Sequence, residues 1–576
     1  MIRIKNHKQQ DLFDPWSFLS PKRRKLLDLS WAGLFRDEIL CELPVDAFAL
    51  NFEQGFGRPT KELHTALGAL LIQQIQDITD EETVSQLAFN IQWHYALNIS
   101  EESDAAKYIS TKTLWNMREA VYRNGLDNIL FHNIRAKLAK VFNVDTEEQR
   151  IDSVHIKSNM KRLGRISIFV SSINKFLVNL KRHRKEMFAT VDPGVIEKYF
   201  PEKALKCFAM VKPSESTKTL SSVSSDLYNL VQQFKDHFDV TKMHSYKLLE
   251  RVLNEQCNLN PTDDSNPVTV KAPKDIPSDS LQNPSDPDAT YSGHKGQGYQ
   301  VQVMETYCKD EKTKETTLNL ITHVDVEPAH ESDTHALIPA LEKTMQAGLA
   351  PKELLADSLY GSDDNCQDAG VVGVDVVSPV MGSTKEDHIS LTEFELSDNG
   401  QVVSCPQGHT PAIKKKKKGR YTSGFDLHQC GNCPNQDICP VKQGKKFYYF
   451  RYTTKEIRLA TRRAYEQTDE FKDRYRWRAG VEATMSEYDK RTGVKHLRFR
   501  GLKAVRFCAV LKAAGLNILR AAAVRKARKK KETGRDKEKM GAMHVFQIFK
   551  ERSAILFAFN FHFNSYEAAR VQIKLI

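Results

Sequence analysis

No apolar run in this 576-residue sequence approaches the roughly 20 residues that a membrane-spanning helix needs, and the opening MIRIKNHKQQDLFDPWSFL lacks the continuous apolar core of a signal peptide. Both absences predict a cytoplasmic protein with no membrane partner. No internal repeat is found, which excludes solenoids and propellers. Cysteine offers no disulfide framework: Cys41, Cys207, Cys257, Cys308, Cys366 and Cys508 are scattered singly, and only Cys405, Cys430, Cys433 and Cys439 crowd together. In a reducing compartment that crowding argues for metal. Acid falls short of base, 73 Asp and Glu against 85 Lys and Arg, so the formal charge of +12 favours a polyanionic partner. Charge alone does not separate DNA from RNA or a membrane surface. With 40% hydrophobic and 27% charged residues the chain is neither disordered nor fibrous, and its length predicts several globular domains.

The first 150 residues carry helical periodicity. Leu63, Leu67, Leu70, Leu71 and Ile75 fall on one stripe and predict a helix over about 60–78. Thr79 with Glu82 forms a capping box for a second helix, and Ser110 can cap a third. Three such helices suit a helix-turn-helix-like DNA module and equally a helical packing or dimerisation domain. An extended stretch near 149–156 follows, then a helical segment over about 164–256, then a proline-bearing loop from Asn260 to Pro287 with no regular structure expected. Tyr299, Val301 and Val303 alternate with Gln300 and Gln302, Leu318 to Val326 is β-rich, and Glu353–Ala356 and Val374–Val377 read as further strands. A helix is expected over about 471–491.

Three carboxylates stand where a strand or helix would aim them into one cleft. Asp152 lies in RIDSVHIKSNM, Asp357 in ELLADSLYGSDDN, and Glu482 in YRWRAGVEATMSEYDKR. Such a set can hold two Mg²⁺ ions, which activate a water or 3′-hydroxyl and stabilise the leaving oxygen of a phosphodiester. Spacing is not diagnostic, because 205 residues separate the first pair and 125 the second, and the chain has 73 acids.

These three blocks resemble the catalytic blocks of DDE transposases of bacterial insertion sequences, in the branch with a Tyr-x2-Arg-x3-Glu-x6-Lys/Arg signature. The resemblance runs from GRPTKELHTALGALL through SDPDATYSGHKGQGYQVQV to HLRFRGL. It implies an α+β protein with a ribonuclease-H-like catalytic core split by insertions, and transposition of the encoding element with two Mg²⁺ ions, Mn²⁺ being the substitute. By the same resemblance Asp152, Asp357 and Glu482 are catalytic metal ligands, while Tyr475 and Arg478 contact DNA phosphate near the cut. The signature's basic position holds Asp489 instead, with Lys490 one residue later and rotated by about 100°. Implied partners are double-stranded DNA, both inverted-repeat ends and target, and a homodimer or larger assembly. The rival activities are a nuclease without strand transfer and a non-catalytic DNA-binding descendant.

Cys405-Pro-Gln-Gly-His409, Cys430-Gly-Asn-Cys433 and Cys439 can close a structural Zn²⁺ site, with four cysteines or with His409 in the set. Five consecutive lysines, 414–418, lie beside them. Ten basic residues against three acids fill 520–540. Arg498 and Arg500, with the other cations around Glu482, suit a scissile phosphate. His155 and Lys157 are left outside the catalytic set. The expected organisation is a helical DNA-binding region (1–145), core segments (146–163 and 285–399) around a helical insertion and loop (164–284), a zinc-binding insertion (400–450), the last core helices (451–520), and a basic linker and tail (521–576). The alternating phenylalanines of the tail suggest an added strand.

Overall fold

The computed structural model describes residues 2–9, 13–53, 57, 59–200, 211–260, 267–382 and 388–533. The expected tail strand lies outside the described residues. The fold is α+β, with a helical N-terminal region.

The helix Leu63–Gln76 buries nearly every side chain it has, so it is a core helix and not a surface amphipath. Glu62 caps it, accepting from the amides of His64 and Thr65. The Thr79–Glu82 capping box forms at the start of Asp80–Phe89, and Ser110 caps Thr111–Arg123. Leu126–Phe142 completes this region. Its apolar side chains share one core with Val154 and Val301 of the central sheet and with Val481, Tyr488 and Leu511 near the end of the chain. Gly515 allows a close approach, since a Cβ there would stand 2.3 Å from Ile75 Cγ1. Gly515 belongs to the helix Leu502–Thr533, which is long and apolar enough to cross a membrane by composition. Of its apolar window, 83% is buried inside the fold, as befits a core helix. The carboxylates of Asp286 and Asp288 accept the amides of Gly501 and Leu502 at its start. That gives the last part of the proline-bearing loop a structural task.

The central sheet contains β1 (Glu148–Lys157), β2 (Thr290–Ser292), β3 (Gly296–Thr306), β4 (Ile321–Pro328), β5 (Glu353–Leu355) and β6 (Asp375–Val377). β1 pairs antiparallel with β3, which also pairs antiparallel with β2 and β4. On its other side β1 runs parallel to β5, and β5 parallel to β6. One face is covered by the core just described. The other packs Ile151, Met304 and Leu354 against helices Leu337–Gln346 and Asp363–Val371. Because both faces are covered, Gln300 and Gln302 are buried rather than solvated, although they alternate with apolar neighbours.

The segment between β1 and β2 builds its own core from helices Arg165–His183, Ser216–Phe234 and His244–Gln256. Within the loop expected to be irregular, Val268–Val270 pairs with Cys257–Leu259, a short ladder that closes this unit. A third unit follows β6: β7 (Ile413–Lys417), β8 (Arg420–Phe425), β9 (Lys442–Gln443) and β10 (Tyr448–Thr453), in the order β7-β8-β10-β9. Its core joins Phe394, Val402, Tyr421, Phe425, Cys430 and Phe450. Thr453 and Glu456 form a capping box that turns β10 directly into helix Thr454–Glu466. That helix is tied back to the start of helix Asp363–Val371 by Arg458 on Asp363, with Nη2 2.5 Å from Oδ2.

Candidate active site

Asp152 sits midway along β1, opposite Val303 of β3, on the sheet face it shares with Arg150, Val154 and Ile156. The parallel register pairs Gln149 with Leu354 and Arg150 with Leu355. This offset is the 205 residues that separate Asp152 from Asp357, so the same register carried on by two residues sets the two carboxylates level. Beyond β5 the chain turns, and Asp357 Oδ1 accepts the amides of Leu359 at 2.8 Å and Tyr360 at 3.4 Å. Ser362 then caps helix Asp363–Val371. The expected helix over 471–491 is three pieces: Asp469–Tyr475, a 3-10 turn Arg476–Ala479, and Gly480–Thr492, which carries Glu482.

One guanidinium collects the three acids. Arg478 Nη2 lies 2.9 Å from Asp152 Oδ2 and 4.0 Å from Asp357 Oδ2, and Nη1 lies 3.6 Å from Glu482 Oε1. Burial raises the Asp152 carboxyl above the usual range; Arg478 and the Ser153 amide oppose the rise, and Asp357 and Asp333 add to it. A negative cluster that draws a cation into its centre, with oxygen donors only, fits a hard dication such as Mg²⁺. Asp152, Asp357 and Glu482 are the residues that would hold it.

Asp333 was not singled out from sequence, yet it borders the cluster. It is buried, accepts from Gln302 Nε2 at 2.8 Å and Ser153 Oγ at 3.3 Å, and stands 3.7 Å from Lys295 Nζ. Lys295 Nζ also donates to Ser153 Oγ at 3.0 Å. The buried Tyr360 hydroxyl donates to Gln302 Oε1, and its pKa is driven well up by burial and by Asp333, Asp152 and Asp357. The Gly-flanked turn SGHKGQG between two strands marks Lys295 but gives no signal for Asp333.

Helix Gly480–Thr492 is fixed by a buried charge set. Glu305 of β3 is fully buried and receives Arg150 Nε at 2.8 Å, Arg520 Nη1 at 2.9 Å and Thr484 Oγ1 at 2.7 Å. Arg520 also reaches Glu487 at 2.8 Å, and Arg150 Nη1 donates to the Trp477 carbonyl at 2.8 Å. Gly480 permits this approach, since a Cβ there would meet Arg150 Nη1 at 2.2 Å.

The other expected site residues are spread around this centre. Tyr475 is half-buried and stacks on Phe471 with ring centroids 5.3 Å apart. By helical periodicity Asp489, seven residues after Glu482, returns to within about 20° of its face, whereas Lys490 stands about 80° away. Asp489 Oδ1 accepts the Lys495 amide at 3.1 Å, and Lys490 is exposed. Arg498 donates to the Asp77 carbonyl at 2.9 Å, and Arg500 is exposed. His155 is half-buried rather than solvated, while Lys157 is exposed.

The four cysteines all lie in the third unit, near enough for their sulfurs to influence one another, but no three of the sulfurs come within 4.8 Å of one another. Burial first, then the sulfurs of Cys439, Cys405 and Cys433, push the Cys430 thiol up to about 11. The Cys405 amide donates to the His409 carbonyl at 2.9 Å, closing a tight turn, and the Cys433 amide donates to the Cys430 carbonyl at 3.3 Å. Among the described residues only His7, Glu62 and His64 bring three ligand atoms within 4.8 Å of one another. Glu62 spends both oxygens on capping amides there, so that group reads as a helix cap tied to the N-terminal segment.

Residues 404–522 match the family model described as a transposase DDE domain, and residues 37–120 match one described as a transposase domain. The first match contains Glu482 and the second the buried helix Leu63–Gln76, while Asp152 and Asp357 lie outside both. No curated protein matches the chain. Two transposase-domain matches, in segments before and after the sheet that brings three carboxylates to one arginine, support a DDE transposase of insertion-sequence type.

Proposed function

We propose that this protein binds the ends of its own insertion element and catalyses metal-dependent cleavage and transfer of DNA strands. The observation that carries this reading is the convergence of Asp152, Asp357 and Glu482, from three distant segments, on the Arg478 guanidinium. The sheet order β4-β3-β1-β5-β6, with β1 antiparallel to β3 and parallel to β5, supports a ribonuclease-H-like core. Two Mg²⁺ ions, when bound, supply a Lewis acid for the phosphoryl oxygens and lower the pKa of the attacking water or 3′-hydroxyl. The protein's part is to fix the carboxylates on rigid elements, the first two by strand register and Glu482 by its helix. Arg478, freed from the acids, is within the same site to meet a phosphate oxygen through its fork of N–H donors. Tyr475, Lys490, Arg498 and Arg500 complete the proposed DNA contacts, and a dimer or larger assembly would pair two ends.

Hydrolysis and transfer share the same chemistry, so the discriminating property is retention of the cut end until its 3′-hydroxyl attacks a second duplex. Purified protein, Mg²⁺, the DNA flanking its own gene and a plasmid target are expected to yield covalently joined product. Hydrolysed ends alone would assign a nuclease, and tight binding without cutting a regulator.

For the cysteine unit the reading is a structural Zn²⁺ held by Cys405, Cys430, Cys433 and Cys439. The Cys430 and Cys439 thiols, raised first by burial and then by the neighbouring sulfurs, belong to a donor set that a dication would relieve. Elemental analysis is expected to find about one zinc per chain. It should be lost from a Cys430→Ser/Cys433→Ser variant, with faster proteolysis between residues 395 and 453. Zinc-free, fully folded wild-type protein would remove the site.

A further inference from the structure

The five consecutive lysines are not one patch. In β7 alternate residues face opposite sides, and pairing fixes which side is which. Lys414 lies opposite Ser423, and Lys416 opposite Tyr421, both buried in the unit's core. The Lys416 ammonium accordingly lies over the Tyr421 ring, 4.8 Å from its centroid. Lys415 lies opposite Thr422, which in turn lies opposite Arg451 of β10. Lys417 lies opposite Arg420. On the outer strand Lys442 lies opposite Tyr449, two residues before Arg451 and so on the same side. The open face of the sheet thus presents Lys415, Lys417, Arg420, Lys442 and Arg451, all exposed; Lys414 and Lys416 are exposed as well but stem from the opposite side, where Lys416 is engaged on Tyr421.

None of these five cations forms an ion pair with a described carboxylate, whereas Lys455 and Arg458, a few residues further on, both do. Lysine on an edge strand has a plain role in blocking strand-to-strand aggregation. That role accounts for β7 but not for Arg420 and Arg451, which belong to the two inner strands. Unneutralised charge running across several strands, with no acid interspersed, is complementary to a regular row of phosphates. Phe447 and Tyr449 lie at one end of the face, their ring centroids 6.2 Å apart.

We propose that this open sheet face is a second duplex-DNA docking surface, separate from the carboxylate site and contacting phosphates rather than bases. The inference rests on the DNA-directed reading above and adds where the duplex outside the cut is held. Helix Thr454–Glu466 follows β10 without a linker and is tied by Arg458 to Asp363, six residues after Asp357, so a duplex on this face has a fixed relation to Asp357.

The two sides of one strand provide a matched test. Full-length K415Q/K417Q/R451Q and K414Q/K416Q are compared with wild type for binding a random-sequence duplex in EDTA, as a function of salt. The outward variant is expected to bind on the order of tenfold or more weakly at about 0.1 M salt, with the slope of log K against log salt reduced by about 2.7, or 0.9 per lost phosphate contact. The inward pair should stay within about twofold of wild type. Equal losses in both variants, unchanged binding by the outward one, or a wild-type preference for anionic vesicles over duplex would each overturn the surface. Cutting of element ends by wild type is scored separately in Mg²⁺, so failure of the transposase reading shows as no cutting while failure of this surface shows in binding alone.

Discussion

Asp152→Asn, Asp357→Asn and Glu482→Gln are each expected to lower Mg²⁺-dependent cleavage of element-end DNA by about three orders of magnitude or more, with duplex binding retained. A carboxamide is neutral and a poor ligand for a hard dication. The charge stabilisation lost from the transition state amounts to several kcal/mol, and each 1.36 kcal/mol is about tenfold in rate. Asp152 gives the cleanest version. Its surroundings already disfavour the charged form, through burial and through Asp357 and Asp333. Removing that charge should therefore leave the thermal midpoint unchanged or higher, and inactivity cannot then be blamed on unfolding. Single-turnover cleavage beside a melting curve checks both halves. Wild-type cutting by Asp152→Asn would sink the assignment of the three acids.

Glu305→Gln is expected to destabilise the protein by about 3–5 kcal/mol, more than any change at the catalytic carboxylates. Glu305 is the one acid between the buried guanidiniums of Arg150 and Arg520, and removing its charge leaves Arg150 with no ion-pair partner among the described residues and Arg520 with Glu487 alone. Replacing Arg150, Glu305 and Arg520 together by apolar residues of similar size should cost less, because no unpaired charge remains. Burial alone would raise the Glu305 pKa; Arg520 and Arg150 outweigh it and hold the carboxyl below its ordinary value. Its stabilisation is therefore present above the unfolded value of about 4.3 and is lost as pH falls through the lower folded value. Denaturant unfolding of wild type and Glu305→Gln should converge in that acid range. Cleavage should fall in the variant as well, since Thr484 and Glu487 hang on the same charges and share a helix with Glu482. A variant with wild-type stability at pH 7 would show that the cluster is dispensable.

Local signals were legible in the chain wherever the physics is local. The Thr79–Glu82 capping box and the Ser110 cap depend on three or four neighbouring residues, and they form where the sequence places them. The stripe Leu63–Ile75 marked a helix for the same reason. Strands rich in Val, Ile and Tyr were equally readable, although Leu318–Leu320 precede β4 rather than belonging to it. The motifs around Asp152, Asp357 and Glu482 pointed to three acids before any contact was known.

Only the tertiary structure decided what those acids do to one another. Two strands 205 residues apart choose a parallel register through backbone hydrogen bonding and packing on both faces, and no spacing in the sequence encodes that choice. Gln300 and Gln302 show the same limit. Alternation marks them as polar positions of a half-exposed strand, yet both faces are covered and each is forced into buried hydrogen bonds, while Glu305 falls on the side of Val301 and Val303. A run of five lysines is likewise a single charge block in one dimension. Pairing with β8 and β10 splits it in two, because the side chains of a strand alternate while its sequence neighbours do not separate.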